Sequence, residues 1–159
     1  MAIEPTFAVP DQVGRLLSGL LGKSVVVKKG NPLAPGTKMA VGEYFREDGT
    51  LGAVCVCDLG TASSAGAALS LMPAGIAAES IKIGKLNETL ADNMQEIFNV
   101  LTRLFQNPMQ PRVHFKLMYL PPQSLSNDAN NLIKKPTYRA DFDVAIPSYP
   151  SGKMSVYVL

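Results

Sequence analysis

The sequence predicts an α+β fold, a two-layer domain over residues 1–159 with helices packed on an antiparallel sheet. Three observations carry this. Strand-like runs follow one another through short turns, which is how antiparallel strands are joined. Helical patterns stand apart from those runs, in the order helix, three strands, two helices, three strands. And 47% of the 159 residues are hydrophobic against 18% charged, enough apolar surface for a single buried core.

The elements follow in order. After Pro10 and Asp11, the residues Val13, Leu16, Leu17, Leu20 and Leu21 recur at helical spacing, and Gly22 is placed to end the helix. Residues 24–28 form a short β-branched strand, and residues 31–36, with Pro32 and Pro35, a loop. Residues 38–46 and 50–57 are strand-like runs on either side of Glu47-Asp48-Gly49, a hairpin signal. Residues 60–72, rich in Ala, Ser and Gly, suit a helix lying close on a sheet, and Pro73 stops it. Residues 77–83 read as one helical turn. Asn87 caps a long helix over residues 86–106, which stops before Asn107-Pro108. Residues 112–120 form a strand closed by Pro121-Pro122. Residues 124–136 are polar and loop-like. Residues 138–146 and 153–159 form a final antiparallel pair around a turn at 148–152. The last of these is apolar and reads either as an edge strand open to pairing with another chain or as a strand covered within the domain.

Composition narrows the function. Net charge is +2, and no basic run exceeds a pair, so there is no cationic footprint for nucleic acid. The longest apolar stretch, residues 65–78, is broken by Pro73 and glycines and is too short to span a membrane. The start of the chain lacks a basic region before an apolar one, so no signal peptide is expected. Cys55 and Cys57 stand two residues apart on one strand face, where a disulfide between them would be strained. Two reduced, buried thiols fit a cytoplasmic protein. With one histidine and no paired Cys-x-x-Cys, no metal site is expected. His114, among apolar residues of a strand, is expected to be packed. Low charge and a mean hydropathy of +0.11 leave room for a homodimer interface.

The chemistry points to residues 86–106. Asp92, Glu96, Asn99 and Arg103 are four, three and four residues apart, which puts them on one helical face. Leu90, Met94, Ile97, Leu101, Leu104 and Phe105 form the opposite, core-facing side, with Phe98 just off it. A carboxylate and a carboxamide one turn apart can bind and position without acting as nucleophiles. An amide both donates and accepts hydrogen bonds, so Asn99 can hold a water while remaining neutral. A carboxylate such as Glu96 only accepts, and suits a lysine on a partner.

The pattern Asp92-x3-Glu96-x2-Asn99, then 22 residues to Pro122, resembles the signature of the CheC/CheX/FliY phosphatases of bacterial chemotaxis. By average residue usage, a chance match to all four positions occurs in on the order of one in several hundred chains of this length. The resemblance implies a phosphatase that hydrolyses the aspartyl-phosphate of a receiver-domain response regulator such as CheY. It implies that Glu96 docks on the regulator's lysine and that Asn99 enters its active site to orient the attacking water. It implies no cofactor of the chain's own, Mg²⁺ belonging to the regulator. The non-catalytic alternative is a module of the same fold that binds a receiver domain or serves in signalling. Under either reading Asp92 and Arg103 are expected to take part in partner binding. Arg103 stands where family members commonly have Gly.

A fainter echo joins the two halves of the chain. Asp11-x3-Arg15-x2-Ser18 repeats the spacing of Asp92, Glu96 and Asn99, as pseudo-duplicated halves would. Arg15 and Ser18 stand where a second Glu and Asn would sit, so only the second half carries the candidate site, a single-site arrangement like that of CheX.

Overall fold

A computed structural model describes residues 9–106, 111–121 and 123–159. A helix at Pro10–Leu21 (α1) leads to strand β1 at Val26–Lys29. Pro10 sits in the first turn of α1, where a missing N–H costs nothing, and Gly22 ends it in the left-handed region with φ 67°. Strands β2 (Met39–Arg46) and β3 (Leu51–Asp58) form the hairpin expected around Asp48-Gly49. Asp48 accepts hydrogen bonds from the Thr50 N–H and hydroxyl inside that turn. Helices α2 (Leu59–Leu69), α3 (Ala74–Ile83) and α4 (Glu88–Val100) follow, the last continuing as a 3₁₀ turn at Leu101–Phe105. Strand β4 (Val113–Tyr119), helix α5 (Asn127–Lys134) and strands β5 (Tyr138–Ala145) and β6 (Gly152–Val158) complete the chain.

The six strands form one antiparallel sheet in the order β1-β5-β6-β3-β2-β4. The order is unchanged when the two halves of the chain are exchanged: β1 answers to β4, β2 to β5 and β3 to β6. A pseudo-two-fold axis therefore passes between β3 and β6, and α1 and α4 stand in corresponding places. The echo between residues 11–18 and 92–99 has this architecture behind it.

Alternate residues of β3 face opposite ways, and both sides are covered. Ala53, Cys55 and Cys57 join the main core with Ala62, Ala65 and Ala68 of α2, whose small side chains let that helix lie close on the sheet. Cys55 and Cys57 are free and buried, as their spacing implies. On the other face, Val54 and Val56 pack with Ala129 and Leu132 of α5, Val41 and Tyr157.

Three readings of the sequence change, and one open alternative is decided. Residues 74–83 form a full helix, not one turn. Its buried side rests on Ala77 and Ser80, too small to give an apolar period. Residues 127–134, read as loop, form α5. Ser126 caps it by accepting from the Ala129 N–H at 3.1 Å, and only Ala129 and Leu132 are buried. Of the two readings of the last strand the covered one holds: β6 lies between β5 and β3 at the centre of the sheet. And His114 is exposed, because β4 is itself an edge strand. Pro122 and the Asn107-Pro108 stop lie outside the described residues.

Candidate functional site

Helix α4 begins on a side-chain cap, Asn87 Oδ1 accepting from the Leu90 N–H at 2.8 Å. Its apolar side, Leu90, Met94, Ile97 and Phe98, is buried, and Leu101, Leu104 and Phe105 continue that side through the 3₁₀ turn. Three contacts fix how the helix is rotated. The Phe98 ring fills the space over Gly42, where a Cβ would come within 2.8 Å of it. The Tyr44 hydroxyl donates to the Phe98 carbonyl at 2.5 Å, satisfying one of the acceptors that the end of a helix leaves open. On the other flank, Asn93 Nδ2 donates to the Gly66 carbonyl at 2.8 Å and to Ser70 Oγ at 2.7 Å, tying α4 to the end of α2.

With the helix held in this way, Asp92, Glu96 and Asn99 all face solvent. None of the three side chains has a hydrogen bond or ion pair with another described residue. Glu88 extends the same face by one turn, four residues before Asp92. The acids at 88, 92 and 96 form a line without a single base on α4, in a chain whose net charge is +2. Like charges four residues apart each weaken a helix by about 0.2–0.5 kcal/mol, and Glu96 also lies toward the negative end of the helix dipole. The three side chains stand on the solvent-facing side of the helix.

Arg103 lies beyond the α-helical part of this stripe. It lies in the 3₁₀ turn, not in α4. A continuous α-helix would place it about 40° round from Asn99, and three residues per turn carry it further away. It is exposed and makes no ion pair with Glu96. The α-helical part of the expected stripe therefore ends at Asn99, and Arg103 follows it on the 3₁₀ turn.

The corresponding face of α1 is put to a different use. Ser18 Oγ accepts from the Val25 N–H at 2.9 Å, fastening α1 to the chain entering β1. Asp11, Arg15 and Ser18 line an open groove of about 520 Å³ between α1 and β1. Among the described residues, no group of three or more His, Cys, Asp or Glu could hold a metal ion. Nor is any described helix long and apolar enough to cross a membrane.

No family model and no curated protein matches the sequence. Solved structures do match the fold. FliM in a FliM–SpeE complex from H. pylori aligns with a TM-score of 0.63 at 6% identity, over 94% of this chain and 80% of that one. FliY from Thermotoga maritima aligns at 0.53 and 12% identity, over 99% of this chain and 92% of that one. The chain carries the CheC/CheX/FliY-type fold. The FliM middle domain from H. pylori aligns at 0.56 and 6% identity, over 94% of this chain and 84% of that one. At these identities the likeness is one of architecture alone.

The sequence pattern did not single out Tyr44, Asn93 or Glu88. Tyr44 lies 54 residues from Phe98, beyond the reach of any local pattern. Asn93 looks like one more polar residue beside Asp92. Glu88 reads as an ordinary acid of a first helical turn.

Proposed function

We propose that this chain is a phosphatase for the aspartyl-phosphate of a receiver-domain response regulator, with Asn99 orienting the attacking water and Glu96 docking on the regulator. The observation that carries the reading is the state of those two side chains. They are exposed, unpaired and about one turn apart on a helix whose other side is locked into the core. A single exposed helix face does not by itself enclose a small substrate, but it can enter the cleft of another protein. The likeness to FliY supports the fold that the reading requires.

The chemistry asks little of the chain. An acyl phosphate is already reactive, so positioning and electrostatics carry the catalysis. Water attacks phosphorus, the bond from phosphorus to the aspartyl oxygen breaks, and the products are a carboxylate and inorganic phosphate that keeps both water protons. The Asn99 carboxamide accepts from that water and donates to a phosphoryl oxygen, which holds the water in line. Glu96 takes a lysine of the regulator as its partner, the charge-assisted kind of hydrogen bond. Mg²⁺ is assigned to the regulator, not to this chain.

The test is the decay of phosphorylated receiver domains from the same genome, with and without the protein. Acceleration is expected for the cognate domain. Asn99→Ala should lower kcat by roughly a hundredfold or more. Glu96→Ala should act mainly on KM, by about tenfold or more, the worth of one charged hydrogen bond. Wild-type protein that leaves every receiver's decay unchanged would overturn the reading.

A second reading is a non-catalytic partner-binding module of the same fold. The complexes of FliM with SpeE and of FliM with FliG favour it, since in both this fold is bound to another protein. Under that reading a receiver binds without faster decay, and Asn99→Ala changes nothing.

A further inference from the structure

Leu71 is the most exposed large apolar side chain among the described residues, at 78%. Its backbone is equally unusual, with φ 57°. The Leu71 N–H bonds to the Ala68 carbonyl at 3.1 Å and the Met72 N–H to the Ala67 carbonyl at 2.8 Å. These two bonds close α2 in a Schellman motif, with Leu71 at the left-handed position where glycine is the usual residue. A Cβ is crowded in that conformation. The isolated molecule therefore gains nothing from leucine here. The backbone is disfavoured, and the side chain stays in water.

The corner is also rigid, and it stands next to the candidate site. Ser70, the preceding residue, receives the Asn93 hydrogen bond from α4. Asn93 lies between Asp92 and Met94 and one turn short of Glu96. From the other side, the Tyr149 hydroxyl donates to the Met72 carbonyl. Leu71 is thus an apolar side chain carried on an anchored backbone, on the flank of the acidic face made by Glu88, Asp92 and Glu96. An anchored backbone avoids the ordering cost that a mobile loop meets on binding.

We propose that Leu71 is a partner-contact residue, and that the α2–α3 corner and the acidic face of α4 form one docking surface for the phosphorylated receiver domain. The proposal rests on the phosphatase reading and adds to it the chemistry of the partner. That partner presents a basic group to α4 and, beside it, an apolar hollow to Leu71. The charge of α4 and the continuity of the corner with Glu96 and Asn99 select this occupant.

The experiment uses Leu71→Gly and Leu71→Asn, two residues that accept the left-handed conformation without the apolar side chain. Melting temperatures at or above that of the wild type are expected for both. Dephosphorylation of the cognate receiver, phosphorylated with acetyl phosphate, should show KM raised about tenfold or more, the loss of one buried leucine side chain, and kcat within twofold of wild type. Raised salt should weaken the Glu96 contribution and leave that of Leu71 in place. Unchanged KM in both variants, on a receiver that Asn99→Ala fails to dephosphorylate, sinks the Leu71 proposal and leaves the phosphatase standing. Self-association of the wild type that Leu71→Gly abolishes, with KM unchanged, assigns the surface to a second copy and also overturns it. If no receiver responds to the wild type, the proposal falls together with the reading beneath it.

Discussion

Tyr44 links the core to the candidate site through one atom. Its ring packs against Phe105 at 4.7 Å and Phe115 at 5.7 Å between centroids, and its hydroxyl holds the carbonyl of Phe98, the residue before Asn99. Tyr44→Phe keeps the ring and leaves that carbonyl unsatisfied. Urea unfolding should show a loss of about 1 kcal/mol. Burial holds the Tyr44 phenol well above its usual range, and the nearby Cys55 and Cys57 add to the effect. The Cys57 thiol is raised too, first by its hydrogen bond with Cys55 and then by burial. In both cases the folded state favours the neutral, protonated form. The stability this brings is therefore complete below the unfolded value and is lost as pH rises. The unfolding midpoint should hold steady at neutral pH and start to fall near pH 8.5, where thiols of the unfolded chain ionise. It should fall more steeply from about pH 10, where its tyrosines do. Tyr44→Phe should reduce the second part and spare the first. At this scale the sequence pattern found the side chains that reach out, Glu96 and Asn99, because polarity at helical spacing is a local signal. It missed Tyr44 and Asn93, which hold the helix, because their partners are remote in the chain.

At the scale of elements, legibility followed side-chain size. The long helix was readable because Leu90, Met94, Ile97 and Leu101 are large and periodic. The corner formed by α2 and α3 was only half readable, because Ala and Ser bury without leaving an apolar period. Helix α5 was hidden by its polarity, although Ser126 and Asp128 mark its start and Lys134 its end. Its cap also reaches into the sheet. The Ser126 hydroxyl donates to Glu43 Oε2 at 2.8 Å while accepting from the Ala129 N–H, and Glu43 is only 1% exposed. Ser126→Ala therefore removes a cap and a partner of a buried carboxylate together. Thermal unfolding should report a loss of about 1–3 kcal/mol. Hydrogen exchange should quicken first in the amides of α5. The break between α4 and its 3₁₀ turn is an element-scale effect with a residue-scale result. It puts Arg103 on the 3₁₀ turn, and no composition rule marks that point.

For the whole molecule, the fold class and the two hairpins were legible, and the sheet order was not. Short turns identify β2 with β3 and β5 with β6, but nothing local says that β1 lies against β5 or that β3 meets β6. Those pairings join strands far apart in sequence, and register within them is set by which side of each strand is buried. The resulting order has a further meaning. Each half of the chain lends its first strand to the other: β1 edges the pair β5-β6, and β4 edges the pair β3-β2. In effect one polypeptide has the architecture of a strand-swapped dimer with its two protomers fused. Neither half contains a complete sheet of its own. Cut between α3 and α4 and produced separately, the halves should each remain unfolded, and mixing them should restore a one-to-one complex with the circular dichroism of the intact chain.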